Sequence, residues 1–321
     1  MGGAGYIGSH MVLVLQDQGY TPIVLDNLST GHHDAVTDAQ FIVGDASDRN
    51  LLRHIFTSQT ISAVMHFASH IDVAESVRQP GKYYQNNVAN LLPLLDVMTE
   101  FGVKQLIYSS SAAVYGEPQS ELVSESHLLA PINPYGRTKR MAEEIITDYA
   151  ANTGLQYAIL RYFNAAGADP AGRTGERHIH ESHLIPLVLA VAQQTSQNVT
   201  VFGNDYATLD GTCVRDYVHV SDLCAAHLLS LNALSAGKSR LIYNVGNGQG
   251  FSILQVIAAV RAITAKNVSV TFTGRRAGDP AILVADASLI KQELNWRPKF
   301  SNLQDIIMHA WRFMLLPVVV E

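Results

Sequence analysis

Short, near-continuous apolar runs limit how this chain can fold. They are Thr21–Asp26, Gln40–Gly44, Ala63–Phe67, Gln105–Ser109 and Tyr157–Tyr162. A strand that is apolar on both faces has no side to turn to water, so it belongs in a sheet covered on both faces. Helix-length segments separate the runs, for example Asn90–Thr99 and Thr138–Asn152. Alternating strands and helices predict a parallel, doubly wound α/β sheet with its ligands beyond the carboxyl ends of the strands. After Phe163 the pattern breaks into a polar stretch, Asn164–His183, rich in Gly, Asp, Arg and His. The reading is therefore a first domain over 1–163 and a smaller α/β, substrate-facing domain over 164–321. Segments within about 213–245 are expected to return to the first domain.

The chain opens with Gly2-Gly-Ala-Gly5-Tyr6-Ile7-Gly8, then an apolar helix-like stretch ending at Gly19. Such a turn either cradles a pyrophosphate at a helix N-terminus or is a plain glycine-rich turn. Asp26 ends the next strand, near the spacing at which an acid binds the ribose of NAD and repels the extra phosphate of NADP. Otherwise Asp26-Asn27 is a strand-end turn. Together the two features make a Rossmann-type fold and NAD the expected pair. Asp45 either accepts from an adenine amino group or caps the helix beginning near Arg49. The turn calls for a strand before it, and none precedes Met1 in this sequence. The expectation is that Met1 is not the native start and that about six further residues, a short apolar strand, belong ahead of it.

Tyr135-Gly-Arg-Thr-Lys139 places a phenol and an ammonium on one helix face, behind the helix-starting Pro134. A nearby cation favours the phenolate, so the pair can serve as a base near neutrality. Alone, the same spacing is also a surface Tyr beside a solvated Lys. Upstream, Ser109-Ser110-Ser111 follows a strand, where a hydroxyl orients a substrate oxygen or forms a turn.

Bulk properties exclude several classes. With 22 Lys plus Arg against 28 Asp plus Glu, the formal charge is −6, which offers no basic surface for nucleic acid. The longest apolar run, Met314–Val319, is too short to cross a bilayer and holds Pro317. No signal segment opens the chain. Cys213 and Cys224 have no metal or redox spacing, so a reducing cytoplasm and a metal-free site are expected.

These features resemble the short-chain dehydrogenase/reductase superfamily in its extended form and, within it, the UDP-glucose 4-epimerase (UDP-galactose 4-epimerase) family. The similar motifs are GGAGYIGSH, LDNLSTG, HFA, YYQNNV, SSSAAVYGE, PYGRTK, LRYFNAAGA, FGNDYATLDGTCVRDYVHVSDL, YNVGNGQG, RRAGDPA and ELNW, in collinear order from residue 2 to about residue 312. The resemblance implies that Tyr135 is the base, Lys139 its electrostatic partner, and Ser111 a hydrogen-bond partner of the sugar O4. It implies an NAD site of Gly2, Gly5, Tyr6, Ile7, Gly8, Asp26, Asn27, Asp45, Ala46, Phe67, Ala68, Asn86, Lys139 and Phe163. The UDP-sugar would meet Asn164, His183, Thr200, Val201, Phe202, Arg215, Arg276, Asp279 and Leu283, besides Ser111 and Tyr135. Arginine suits a diphosphate because its planar fork donates in pairs; the alternative for Arg215 and Arg276 is a surface ion pair.

The implied activity is interconversion of UDP-galactose and UDP-glucose by C4 oxidation, rotation of the 4-keto sugar and re-reduction, in a homodimer. The sequence departs from some relatives in lacking a lysine near Ile71, in having His183 where they have Asn, and in having Leu283 at a position that sets pocket size. The rival readings are another sugar-nucleotide epimerase, dehydratase or decarboxylase, and an inactive nucleotide-binding module.

Overall fold

A computed structural model of the chain describes residues 1–276 and 278–316. Ala277 of the RRAGDPA motif and the tail from Pro317, which holds part of the apolar run Met314–Val319, lie outside the described residues. Helix α1 (Tyr6–Asp17) follows the glycine turn directly, then β1 (Ile23–Asp26) and β2 (Gln40–Val43). Next come α2 (Arg49–Ser58), β3 (Ala63–His66), α3 (Val73–Arg78), α4 (Pro80–Tyr84) and α5 (Leu91–Glu100). A π-turn, Gln85–Ala89, joins α4 to α5. The first half closes with β4 (Gln105–Ser111), β5 (Leu122–Val123), α6 (Pro134–Thr153) and β6 (Gln156–Tyr162). The second half runs β7 (Asn164–Ala166), α7 (Leu184–Ala192), β8 (Val199–Phe202), β9 (Val214–His219), α8 (Val220–Ser235) and β10 (Arg240–Val245). It ends with β11 (Gly250–Ser252), α9 (Ile253–Thr264), β12 (Val270–Thr273), β13 (Ile282–Ala285), α10 (Ser288–Glu293) and α11 (Leu303–Met314).

The parallel sheet of the first half lies in two pieces, β1 with β2 and the order β10-β6-β4-β3. Met1 and Gly2 tie them together. The Met1 ammonium donates to Met65 O at 2.9 Å, Phe67 N–H donates to Met1 O at 2.9 Å, and Gly2 N–H donates to Leu25 O at 2.9 Å. Among the described residues no strand pairs with both β1 and β3. Residues along β4 and β6 alternate between two cores, as a period of two requires. Leu106, Tyr108, Tyr157 and Ile159 pack with α2, α5 and α6, while Ile107, Ala158, Leu160 and Tyr162 pack with α8. Helix α8 also lies on α1, and β10 pairs with β6, so these elements join the first sheet although they follow β9 in the chain.

The second half has its own core, built on β8, β9, α7, α9 and α11. Strand β9 lies between β11 and β13 in a sheet of order β11-β9-β13-β5, β7 pairs with the carboxyl half of β9, and β8 pairs with β12. Residues of both halves line one cleft at the carboxyl ends of the first sheet's strands, where β4 ends in its serines. Among the described residues no helix is long and apolar enough to cross a membrane.

Candidate active site

Along that carboxyl edge lies a cleft of about 510 Å³. It gathers every candidate residue named from the sequence except Val201. Thr200 and Phe202 line the cleft, whereas Val201 is fully buried in the second core. The reason is strand periodicity: neighbours along β8 face opposite ways, so the Val201 side chain takes no part in the cleft.

The glycine turn is built for close approach. Gly2 has φ +71°, where a side chain is strained, and a Cβ there would meet Ala68 N at 2.5 Å. A Cβ on Gly8 would meet Gly2 O at 2.1 Å. The turn therefore delivers the N-terminus of α1, with its unpaired amides and positive dipole end, against Phe67 and Ala68. Asp26, 8 % exposed, holds the turn: one oxygen accepts from Ala4 N–H at 2.9 Å and the other from Leu28 N–H at 2.8 Å. A carboxylate offers about four lone-pair sites, so it keeps acceptors for ribose hydroxyls. Asp45 accepts from Asn27 Nδ2 at 2.9 Å and from Ser47 N–H at 2.8 Å. The cap of α2 is Asp48, whose side chain accepts from Asn50 and Leu51 N–H, so the capping alternative for Asp45 is excluded. Asn86 enters the cleft from the π-turn, an irregularity common at functional positions.

Tyr135 and Lys139 project from the first turns of α6, whose N-cap Asn133 accepts from Gly136 N–H at 2.8 Å. Lys139 is 2 % exposed, donates to Ser69 Oγ at 2.7 Å and Ser109 O at 2.8 Å, and lies 5.9 Å from the Tyr135 ring centroid. Burial lowers the Lys139 ammonium to about 7, with Glu143 opposing that shift. The Tyr135 phenol is pushed up by burial, and its hydrogen bond with Ser111 offsets part of the rise. The sequence led us to expect a phenol drawn down by Lys139. Desolvation raises it instead, and Lys139 Nζ donates to Ser69 and Ser109 rather than to the phenol.

One turn further along α6, Glu143 is 5 % exposed and binds Arg161 of β6 through Nε (3.0 Å) and NH2 (2.7 Å). It also accepts from Ser110 Oγ. This buried pair was not legible in the sequence, because an acid inside an amphipathic helix reads as a solvated charge.

At the far end, Arg215 is paired with Asp279, and the Arg276 guanidinium stacks on the Phe202 ring at 4.3 Å. Leu283 lines the same wall, packed against the cluster of Phe163 and Ala285.

The chain and its fold are similar to those of known proteins. The family described as NAD dependent epimerase/dehydratase matches residues 1–246. A UDP-glucose 4-epimerase of Halalkalibacterium halodurans is 48 % identical over 312 residues, 97 % of this chain and 93 % of that protein. The chain belongs to the NAD-dependent epimerase/dehydratase family. A UDP-glucose 4-epimerase from Brucella ovis, solved in complex with NAD, superposes with a TM-score of 0.95 at 44 % identity, covering 97 % of this chain and 96 % of that one. One from Bifidobacterium longum, solved with NAD+ and UDP, gives a TM-score of 0.93 at 35 % identity, with 98 % and 96 % covered. The cradle at Gly2, Gly5 and Gly8, the free acceptors of Asp26 and the negative charge there suit the family's dinucleotide and disfavour a 2′-phosphate.

Proposed function

We propose that the chain interconverts UDP-galactose and UDP-glucose. One observation carries the reading: Tyr135, Lys139 and Ser111 share a single cleft with the α1 glycine turn and with Arg215 and Arg276. A bound NAD would supply the acceptor, and later the donor, of the C4 hydride. Tyr135 would take the proton from O4 and return it, and Ser111 would orient that oxygen. Lys139 would keep positive charge under the pair and meet the nicotinamide ribose. Arg215 and Arg276 would hold the diphosphate while the sugar turns.

Gly2, Gly5, Tyr6, Ile7, Gly8, Asp26, Asn27, Asp45, Ala46, Phe67, Ala68, Asn86 and Phe163 would form the cofactor half. Asn164, His183, Thr200, Phe202, Asp279 and Leu283 would form the UDP-sugar half. A dehydratase needs an acid and a base beside Ser111, and Ala112 and Ala113 stand there instead. The residues 1–163 and 164–321 would divide cofactor from substrate binding. We also read the protein as a cytoplasmic homodimer. Its two cysteines are free and buried, and the neighbouring α5 and α6 expose Leu92 and Met141. Light scattering on the purified protein tests the dimer. Conversion of UDP-galactose, followed by chromatography, tests the activity, and loss of conversion in Tyr135→Phe assigns the base.

A further inference from the structure

The loop before α7 brings four titratable side chains to one wall of the cleft. Glu176, His178, Glu181 and His183 each offer a ligand atom, all within 4.8 Å of one another. Glu176 is 6 % exposed, and its Oε1 stands 2.7 Å from His183 Nδ1 and 3.1 Å from His178 Nε2. Glu181 Oε1 stands 3.2 Å from the same His183 Nδ1. His183 itself is 40 % exposed. Its Nδ1 is buried at ion-pair distance from both carboxylates but is not aligned for a hydrogen bond to either, and its Nε2 makes no hydrogen bond among the described residues and is not buried. That leaves Nε2 as the polar atom this side chain offers to the cleft.

An imidazole that keeps its Nδ1 proton beside a carboxylate has a bare lone pair at Nε2 when neutral, and an N–H there when protonated. A phosphate oxygen accepts only from the second form. We infer that Glu176 is a positioning residue that keeps His183 a donor at both ring nitrogens, so that Nε2 presents an N–H to the diphosphate of the substrate. The inference rests on the UDP-sugar reading of the cleft.

Electrostatics agree with the geometry. Burial opposes charge on His183, yet attraction to Glu176, then to Glu181, raises it to about 10. Burial opposes charge on Glu176 too, and His183 and then His178 bring it down to about 2. Water reaching the open side of His183 screens part of its shift. From α1, Tyr6 and His10 face the same carboxylates. Burial pushes the Tyr6 phenol up and lowers His10 to about 4, so neither competes for the charge near neutrality. Arg215, Arg276 and, at the opposite end, Lys139 also line the cleft.

The test is calorimetric binding of UDP-glucose to NAD-loaded protein between pH 6 and 9, in a Tyr135→Phe background to suppress turnover. The diphosphate diester does not titrate in this range. With Glu176 intact the Kd is expected to stay flat. Glu176→Gln returns His183 towards its ordinary range near ~6.5, so the Kd climbs by up to about tenfold per pH unit above that midpoint. Glu176→Asp, which keeps the charge, restores the flat profile. Adding His183→Asn to Glu176→Gln removes the titrating group, and the slope vanishes while the melting temperature and NAD content stay those of Glu176→Gln. A flat Glu176→Gln profile overturns the inference, as does a slope that survives in the double variant. One equivalent of bound zinc that is lost on His183→Asn also overturns it, because the four donors would then be a metal centre. Failure of the Glu176-intact protein to bind UDP-glucose at any pH refutes the UDP-sugar reading itself.

Discussion

Replacing Glu143 with Gln tests the buried network behind the catalytic face. The carboxylate binds the Arg161 guanidinium and accepts from Ser110 Oγ, and Arg161 is 4 % exposed in the middle of the sheet. Glutamine keeps the shape and removes the charge. Arg161 then retains Tyr115 Oη at 3.0 Å and Glu125 O at 3.2 Å as neutral partners. Breaking one side of a buried ion pair costs about 3–5 kcal/mol, against a typical total of about 5–15 kcal/mol. At about 2–4 °C per kcal/mol the melting temperature should fall by roughly 6–20 °C. Glu143→Leu with Arg161→Met, which removes both charges, should recover most of the loss.

The same substitution acts on Lys139, whose ammonium Glu143 holds up against burial. Without Glu143 the Lys139 value drops below about 7, and the alkaline limit of activity moves to lower pH. Differential scanning calorimetry and a pH–rate profile read the two effects. A Glu143→Gln protein that melts within about 2 °C of wild type would mean that the pair contributes little and that the desolvation argument is wrong.

Tyr135→Phe keeps a ring that is 9 % exposed and deletes the hydroxyl, so turnover should fall by roughly 10²–10⁴ while the melting temperature holds; steady-state kinetics at matched NAD occupancy decide it. Gly8→Ala sets a methyl group 2.1 Å from Gly2 O, so copurifying NAD should drop sharply, measured by absorbance after denaturation. Leu283→Ala widens the wall by the sugar and should raise turnover of UDP-N-acetylglucosamine relative to UDP-glucose; an unchanged ratio removes Leu283 from specificity.

For folding, the His183 charge, held up to about 10, stabilises fully below ~6.5 and is lost as pH rises through its folded value. The Glu176 charge stabilises above ~4.5 and is lost as pH falls through about 2. The melting gap between wild type and Glu176→Gln should therefore be widest from about pH 4.5 to 6.5 and close towards alkaline pH. A Val/Ile/Leu-rich segment placed ahead of Met1 should pair with both β1 and β3 and raise the melting temperature, because Met1 and Gly2 are the backbone that joins those strands.

The strands of the parallel sheet were legible because the central runs, β4 and β6, are buried on two faces and so read as near-continuous apolar stretches. The glycine turn and the Tyr135-to-Lys139 spacing were legible because they are local: a few residues set both the conformation and the chemistry. The direction of the Val201 side chain was not legible, for the opposite reason. A motif names a strand, but which neighbour faces the cleft depends on what covers each side of it. Glu176 and Glu143 were missed since an acid in a polar loop or on a helix gives no sign of burial until a distant His or Arg meets it. Ser69 went unnoticed because its role, accepting from Lys139, exists only once β3 and α6 are packed together. The pairing of β8 with β12 joins segments separated by three other strands and two helices, and neither strand carries a signal for the other.

The central claim is tested most directly by incubating the purified, NAD-bearing protein with UDP-galactose and resolving the products over time. The account predicts steady conversion to UDP-glucose, reversible from the other side, with no accumulation of reduced cofactor and no added reductant. A folded protein that holds NAD and binds UDP-galactose yet releases no UDP-glucose would contradict it.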